Sequence, residues 1–473
     1  MRKTKIICTL GPAVDNEEKL KELMRNGMDC ARFNFSHGTH EEHKVRMDTL
    51  KRIRAELNLP IAILLDTKGP EIRVGKFRNG SADLEQGQNF TLDTDSSKPG
   101  DNTRASLTYA MLSEYVKPGT RILVDDGKIA LEVSDVTSGV INCKVLNRGK
   151  ISDRKSINVP GISIPMPYLS DTDRSDIIFG IEQEVDFVAA SFIRSAEDVR
   201  AVRELLNENR GNAIKIISKI ENTQGLKNLD EIIEYSDGIM VARGDLGVEL
   251  PFKEIPPIQK KMISKCTDAG KIVVTATQML ESMTKSPRPT RAEVSDVANA
   301  IYDGTTAIML SGESASGDYP AEAVLTMAEI AESTENSMDY TSYSMPNAFS
   351  LGKTIISTTC QSACCAADFI KAKALVVVTR SARTASALSA FRPNCPIIAA
   401  TIDERGRRQL NLCWGVRPIS AVVQPSIEDL IKYAKTRALE TRLVGSGDII
   451  VIAIGSSVDE AGVSDTIRIV QLT

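Results

Sequence analysis

Long apolar runs are missing from this chain. The longest, such as Ala374 to Val378 and Ile449 to Ile454, stop far short of the ~18 residues that a membrane-spanning helix needs. No membrane partner is expected. The N-terminus, Met1-Arg-Lys-Thr-Lys-Ile-Ile-Cys8, lacks a long apolar segment and a small-residue cleavage site, so a cytoplasmic protein is expected. A basic stripe is also missing: Lys+Arg 58 against Asp+Glu 62 give a formal net charge of −4 with both signs interspersed. Nucleic acid is not an expected partner. Paired cysteines are absent as well. The 9 cysteines are odd in number and lie mostly in apolar segments (Cys8, Cys30, Cys143, Cys266, Cys395), which suits reduced buried thiols. Cys360, Cys364 and Cys365 sit in a small-residue run with no accompanying His or CxxC, and read as the core of a packed helix rather than a zinc site. Histidine is scarce: His37, His40 and His43 are the only 3, and their spacing is not that of HExxH. What remains is ordinary globular material, 473 residues with 42% hydrophobic and 25% charged, enough for about three domains at ~150 residues each.

From Thr4 to Glu313 a rhythm repeats, a short β-rich apolar run followed by a polar-capped amphipathic stretch. Strands are expected at Thr4 to Leu10, Cys30 to Phe35, Ile61 to Asp66, Asp186 to Phe192, Ile214 to Ile220, Gly238 to Ala242, Ile272 to Ala276 and Ala307 to Leu310. Most are continuously apolar, as strands of a parallel sheet covered on both faces should be. Helices are expected between them, at Asn16 to Arg25, His40 to Leu57, Ser195 to Glu208, Leu226 to Glu234, Ile255 to Asp268 and Arg291 to Tyr302, the last opened by the capping box Thr290-Arg-Ala-Glu293. Eight such units point to a closed α/β barrel, with an open doubly wound sheet as the alternative.

The rhythm breaks between Lys68 and Pro167, where alternating runs (Gln88 to Asp93, Arg121 to Val124, Ala130 to Val136, Val140 to Leu146) are joined by Gly, Asn and Asp turns. An inserted all-β domain is expected there. It leaves the barrel after the third strand, on the face where barrel active sites lie, as a lid would. After Tyr340 a linker leads to a second alternation of helices and strands ending at Ile467 to Leu472, expected to be an antiparallel edge strand of an open α/β domain. The division is then 1–69 and 168–342 for the barrel, 70–167 for the lid and 343–473 for the C-terminal domain.

Barrel chemistry collects where strands end. The second strand is followed by Arg32, Asn34, Ser36 and His37, the third by Asp66, Thr67 and Lys68, and the fifth by Lys219 and Glu221. Arg243 and Asp245 follow the sixth, Thr277 and Gln278 the seventh, and Ser311 and Glu313 the eighth. A purely structural barrel has no need of these groups. Arg32, Arg73, Lys219 and Arg243 suit a strongly anionic substrate, and Glu221 and Asp245 offer hard oxygens to a divalent ion such as Mg2+. Phosphoryl transfer fits that set, because it asks mainly for charge neutralisation and alignment. Glu249, Lys253 and Glu254 read as solvated surface. Gly352-Lys-Thr354 mimics the end of a P-loop, but Asn347 stands where the first Gly belongs and no strand precedes it.

These residues fall in stretches that resemble pyruvate kinases along the whole chain: Cys8-Thr-Leu-Gly-Pro12, Ala31-Arg-Phe-Asn-Phe-Ser-His-Gly38, Leu65-Asp-Thr-Lys-Gly-Pro-Glu-Ile-Arg73, Ile214-Lys-Ile-Ile-Ser-Lys-Ile-Glu-Asn222, Met240-Val-Ala-Arg-Gly-Asp-Leu-Gly247, Thr275-Ala-Thr-Gln-Met-Leu-Glu-Ser-Met283, Pro287-Arg-Pro-Thr-Arg-Ala-Glu293 and Met309-Leu-Ser-Gly-Glu-Ser314. The resemblance implies transfer of a phosphoryl group from phosphoenolpyruvate to ADP, giving pyruvate and ATP. Lys219 would stabilise the moving group with Arg73 assisting, and Arg32, the Gly244 backbone, Asp245 and Thr277 would complete the substrate site. Glu221 and Asp245 would bind Mg2+ (or Mn2+). Asn34, Ser36, Asp66 and the Thr67 carbonyl would hold K+, and Glu71, where K+-independent members carry Lys, implies K+ dependence. Arg32, Asn34, His37, Arg73 and Lys155 would approach the nucleotide. Thr277, or Ser311 with Glu313 and water, would relay the proton to the enolate. A homotetramer is implied too.

In regulated family members the loop matching Thr379, Arg380, Ser381, Ala382, Arg383 and Thr384 binds the phosphate of an activating sugar phosphate, as hydroxyls and backbone N–H groups at a helix start would allow. The family usually has Gly where Ala382 stands, and the loop Gly455 to Ser464 lacks a Thr-Thr-Asn run common in bacterial members. An ordinary capped helix is the competing reading. For the whole chain the competitors are another Mg2+-dependent barrel acting on a 2-oxo-acid enolate, such as an aldolase or lyase, and a catalytically silent scaffold.

Overall fold

The computed structural model describes residues 1–338, 354–379, 382–455 and 464–473. The eight expected runs form the eight parallel strands of a closed barrel: Lys5–Thr9, Cys30–Asn34, Ala62–Asp66, Phe187–Ala190, Lys215–Ile220, Gly238–Ala242, Ile272–Ala276 and Ala307–Leu310. They lie around the barrel in chain order, the first pairing with both the second and the eighth. Alternation along each strand explains the closure. One set of side chains, including Ile7, Leu64, Phe187, Ile217, Met240, Val274 and Met309, fills the barrel interior. The other, including Ile6, Phe33, Ile63, Val188, Ile216, Val241 and Ile308, packs under the surrounding helices.

Helix starts follow their polar signals. Thr39, Ser170 and Thr290 each close a capping box, and such a cap contributes about 1 kcal/mol. The expected helix from Leu226 to Glu234 is instead two, Thr223–Lys227 and Leu229–Tyr235. Asn228 breaks it by turning its amide to the Arg194 carbonyl. Helices at Asp171–Glu182, Arg243–Glu249 and Pro320–Ser337 fill further positions in the alternation.

The insertion is all-β with its own core of residues such as Phe90, Leu92, Ile122, Leu131 and Ile141. Seven strands run in the order Ile72–Arg73, Ser156–Asn158, Arg121–Val124, Ile129–Thr137, Val140–Val145, Asn89–Asp93, Arg104–Ser106, and Ser81–Leu84 pairs separately with Gly149–Ser152. It leans on the barrel rim, where Ser163 donates to the Gln224 side chain.

The C-terminal domain is a five-stranded sheet in the order Val416–Ser420, Ile397–Thr401, Ala374–Thr379, Ile449–Ile454, Thr466–Gln471, with only the last strand antiparallel. Its helix Ile355–Phe369 buries Cys360 and Cys364, while Cys365 is exposed, a correction to the reading of all three as core. They lie along one helix, so the third falls on the solvent side of the stripe. This domain also stoppers the barrel floor: Leu412 joins the interior cluster and Arg408 Nε donates to the fully buried Asp186 at 2.9 Å. The expected boundary at 342/343 lies outside the described residues.

Candidate active site

Lys219 lies near the upper end of the fifth barrel strand, one residue before the strand finishes at Ile220. Its ammonium reaches Asp66 Oδ1 at 3.0 Å, Glu221 Oε1 at 2.9 Å and Ser191 Oγ at 2.8 Å. Burial alone would strip its proton, but the Asp66 and Glu221 carboxylates outweigh that and hold its pKa above the ordinary lysine value. Lys219 is a permanent cation. Asp66 ends the third strand, and its other oxygen takes Arg32 Nε at 2.6 Å. Burial works against the Asp66 carboxylate, yet Arg32 and Lys219 keep its pKa below the usual range. Arg32 is fixed a second time by Thr9 Oγ1 at 2.9 Å. Lys219, Arg32, Asp66 and Glu221 are all buried, so these pairs act at low local dielectric.

Glu221 and Asp245 form the anionic half. Glu221 Oε2 accepts the Phe192 N–H at 2.6 Å, and Asp245 stands in the first turn of Arg243–Glu249. Burial pushes both carboxyls above the ordinary range. Two carboxyls, Glu221 buried and Asp245 half-buried, with only oxygen donors fit a divalent ion that takes its remaining ligands from substrate and water. Of the oxygen set expected for K+, Asn34 and Asp66 are register partners on neighbouring strands, and Thr67 follows directly. Asn34 Oδ1 accepts the Ser36 N–H at 3.2 Å.

The seventh strand ends in two non-glycine residues in the left-handed region, Thr277 (φ 65°) and Gln278 (φ 54°). Such backbone costs of order 1 kcal/mol or more per residue, and persists where surroundings enforce it. Here Arg243 enforces it. Its guanidinium donates to the carbonyls of Ala276, Thr277 and Gln278 and pairs with Asp296 at 2.6 Å. Arg243 is therefore a turn anchor, and not the free substrate cation that sequence alone implied. The turn presents Thr277 Oγ1, which accepts the Gly244 N–H at 2.9 Å. Both oxygens of Glu313 accept backbone N–H groups, from Leu280 at 3.1 Å and Ser311 at 2.7 Å.

Arg73 is held in the lid by Glu71 at 2.5 Å and by the Arg154 carbonyl, while Lys155 pairs with Asp125 at 2.8 Å. A cleft between lid and rim is lined by Glu71, Asp126, Asn158, Arg194, Thr223 and Asp245, among others. Glu249 belongs to that lining, half-buried and accepting both the N–H and hydroxyl of Thr223 at 3.1 Å, which corrects its reading as solvated surface. His37 is exposed, and its carbonyl accepts from His43 Nε2 at 2.8 Å. His40 contacts Asp176 and stacks on Phe179, and no cluster of three metal-ligating side chains occurs among the described residues. In the C-terminal loop, Arg380 and Ser381 lie outside the described residues. Thr379 ends its strand, Ala382 precedes helix Arg383–Ala390, and the Thr384 hydroxyl is buried against Ser464 Oγ at 2.7 Å.

Two participants escaped the sequence reading, Thr9 and Ser191. Both directly end a barrel strand, the first and the fourth, the two strand ends not searched for polar groups.

Comparison with known proteins agrees with this geometry. Residues 1–324 match the family model described as pyruvate kinase, barrel domain, and residues 357–470 match pyruvate kinase, alpha/beta domain. The chain is 47% identical over 469 residues to a pyruvate kinase of Clostridium acetobutylicum, covering 99% of each. It is 48% identical to one of Clostridium perfringens, again over 99% of each. A crystal structure of a pyruvate kinase from Cryptosporidium parvum superposes with a TM-score of 0.92 at 40% identity, covering 100% of this chain and 96% of that one.

Proposed function

The chain belongs to the pyruvate kinase family and converts phosphoenolpyruvate and ADP to pyruvate and ATP, and we propose that Lys219 is the cation that meets the phosphoryl group in transit. The observation that carries this is the three-point hold on its ammonium by Asp66, Glu221 and Ser191, which fixes a desolvated permanent charge beside Arg32 at the strand ends. A fixed cation of this kind is worth about 3–4 kcal/mol at the transition state, because it needs no reorganisation as charge moves. Arg32 is clamped through Nε and Nη1, which leaves Nη2 for a substrate anion. Arg73 would approach from the lid side with the nucleotide, together with Lys155, His37 and Asn34.

Glu221 and Asp245 would hold Mg2+ or Mn2+, and Asn34, Ser36, Asp66 and the Thr67 carbonyl would hold K+. When bound, these ions supply positive charge to phosphoryl and enolate oxygens. The Gly244 N–H and the Thr277 hydroxyl, hydrogen-bonded to each other, would bind substrate, and Thr277 would relay the proton, while both Glu313 oxygens are committed to backbone donors. Ser311 would share in that relay. Glu313 then shapes the loop that carries Ser311. We further assign a phosphorylated effector to the Thr379–Thr384 loop, a homotetrameric assembly and a cytoplasmic location, on family likeness.

A coupled assay with lactate dehydrogenase and NADH tests the reading, run with K+ and with tetramethylammonium. Lys219→Met is expected to lose at least ~10³-fold in kcat with little change in KM for phosphoenolpyruvate. Near-normal turnover by that variant would overturn the role of Lys219. Equal rates in the two cations would remove K+ from the mechanism and leave the reaction standing.

A further inference from the structure

Ser191 has every polar atom committed across strand ends. Its N–H donates to Thr67 Oγ1 at 3.1 Å, and its carbonyl accepts the Tyr168 hydroxyl at 2.9 Å. Its hydroxyl accepts a proton of the Lys219 ammonium at 2.8 Å, and of the two acceptors for its own proton the Thr67 carbonyl at 2.6 Å is nearer than Asp66 Oδ1 at 3.2 Å. The residue is 1% exposed. It directly follows the fourth strand, and the next residue, Phe192, is left-handed at φ 55° and gives its N–H to Glu221. The third-strand loop crosses over it closely: a Cβ on Gly69 would lie 2.9 Å from the Ser191 carbonyl oxygen. A serine placed by so many contacts has no rotational freedom left.

We propose that Ser191 is a positioning residue that couples the K+ site to the phosphoryl-transfer cation. With its one hydroxyl proton on the Thr67 carbonyl, the nearer acceptor, a lone pair faces Lys219. The Thr67 carbonyl is also a K+ donor in the reading above, on which this inference rests. Polarisation of that carbonyl by a cation and the orientation of the Lys219 ammonium therefore communicate through this O–H group, beside the direct contact of Asp66 with Lys219. Asp66 and Glu221 hold Lys219 as charge-assisted partners at 3.0 and 2.9 Å, and the Ser191 hydroxyl is the neutral member of the three-point hold.

The test is Ser191→Ala in the full chain, with Ser191→Cys as the volume-matched second variant should Ala not fold. Steady-state kinetics are expected to show kcat about 10- to 100-fold lower, the loss of one hydrogen bond to a charged group, with KM for phosphoenolpyruvate within threefold. The half-activating K+ concentration should rise at least threefold. The upward shift of Tm that K+ produces without substrates should shrink in parallel, a readout independent of turnover. In a Lys219→Gln background Ser191→Ala should cost less than threefold more, because the residue acts through Lys219. An unchanged kcat would overturn the positioning role. A lower kcat with unaltered K+ response in both readouts would overturn the coupling. If native protein itself shows no K+ effect on rate or Tm, the K+ reading fails, and the double-variant result alone judges whether Ser191 positions Lys219.

Discussion

Replacing Arg243 by Gln separates a turn anchor from a substrate ligand. The side chain makes contacts to the carbonyls of Ala276, Thr277 and Gln278 at distances from 2.6 to 3.3 Å, besides its bond to Asp296. The Asp296 pair is discounted, because that carboxylate is 37% exposed and such pairs contribute no more than about 1 kcal/mol. The carbonyl bonds matter more. Hydrogen bonds from a charged group are worth about 1.5–3 kcal/mol each, and Gln can keep one of them. A net loss of about 3 kcal/mol would then meet two left-handed residues, each already about 1 kcal/mol uphill. The turn should relax and carry Thr277 away from Gly244 by a fraction of an ångström to an ångström. Misplacement on that scale costs about 10²-fold in rate. The coupled assay should show kcat reduced by about 10²-fold with KM for phosphoenolpyruvate changed less than threefold, and urea unfolding should show the barrel weakened. A tenfold rise in KM with kcat intact would mean that Arg243 touches substrate, and the anchor argument would be wrong.

Gly69→Ala should weaken the site from the opposite side: φ of 73° and a Cβ contact of 2.9 Å with the Ser191 backbone oxygen predict a loss of about 2 kcal/mol in urea unfolding, with kcat at least tenfold lower. Arg408→Ala should loosen the C-terminal domain from the barrel floor, because it leaves the buried Asp186 without its closest cation. Burial already raises the Asp186 pKa above its ordinary value, so the folded state holds a proton more tightly than the unfolded one. Stability from this group then falls as pH rises above the unfolded value of about 4, and the variant should enlarge that fall. Thermal unfolding should therefore show a larger Arg408→Ala deficit at neutral pH than at about pH 4, near the unfolded value, and a deficit independent of pH across that window would refute the argument.

Much of this molecule is legible in one dimension because its strands are short and continuously apolar. Gly238–Ala242, Ile272–Ala276 and Ala307–Leu310 begin and end where their apolar runs do, and other barrel strands stop within two residues of the expected limit. The lid was harder. Short strands such as Ile72–Arg73 and Ser156–Asn158 carry too few residues for alternation to register, and the order of seven strands depends on pairings far apart in sequence.

The site divides along a different line. Residue type reveals chemistry where charged groups converge at strand ends, as Lys219 and Glu221 do, but charge alone cannot tell whether a cation is free or spent. Arg243 reads like Arg32 until Asp296 and three carbonyls are seen around it. Thr277, Gln278 and Phe192 carry no sign of their left-handed backbone, since that conformation usually announces itself through glycine. Ser191 is hidden most completely, because a serine at the end of an apolar strand is unremarkable and its meaning lies in Thr67, Lys219 and Tyr168, each on a different element. A barrel brings such residues together by geometry: adjacent strand ends lie side by side whatever their separation in the chain. Every strand end should therefore be treated as a candidate position, polar or small, charged or not. By that criterion Thr9, which hydrogen-bonds Arg32 from the first strand, is the residue that completes the circle of polar strand ends.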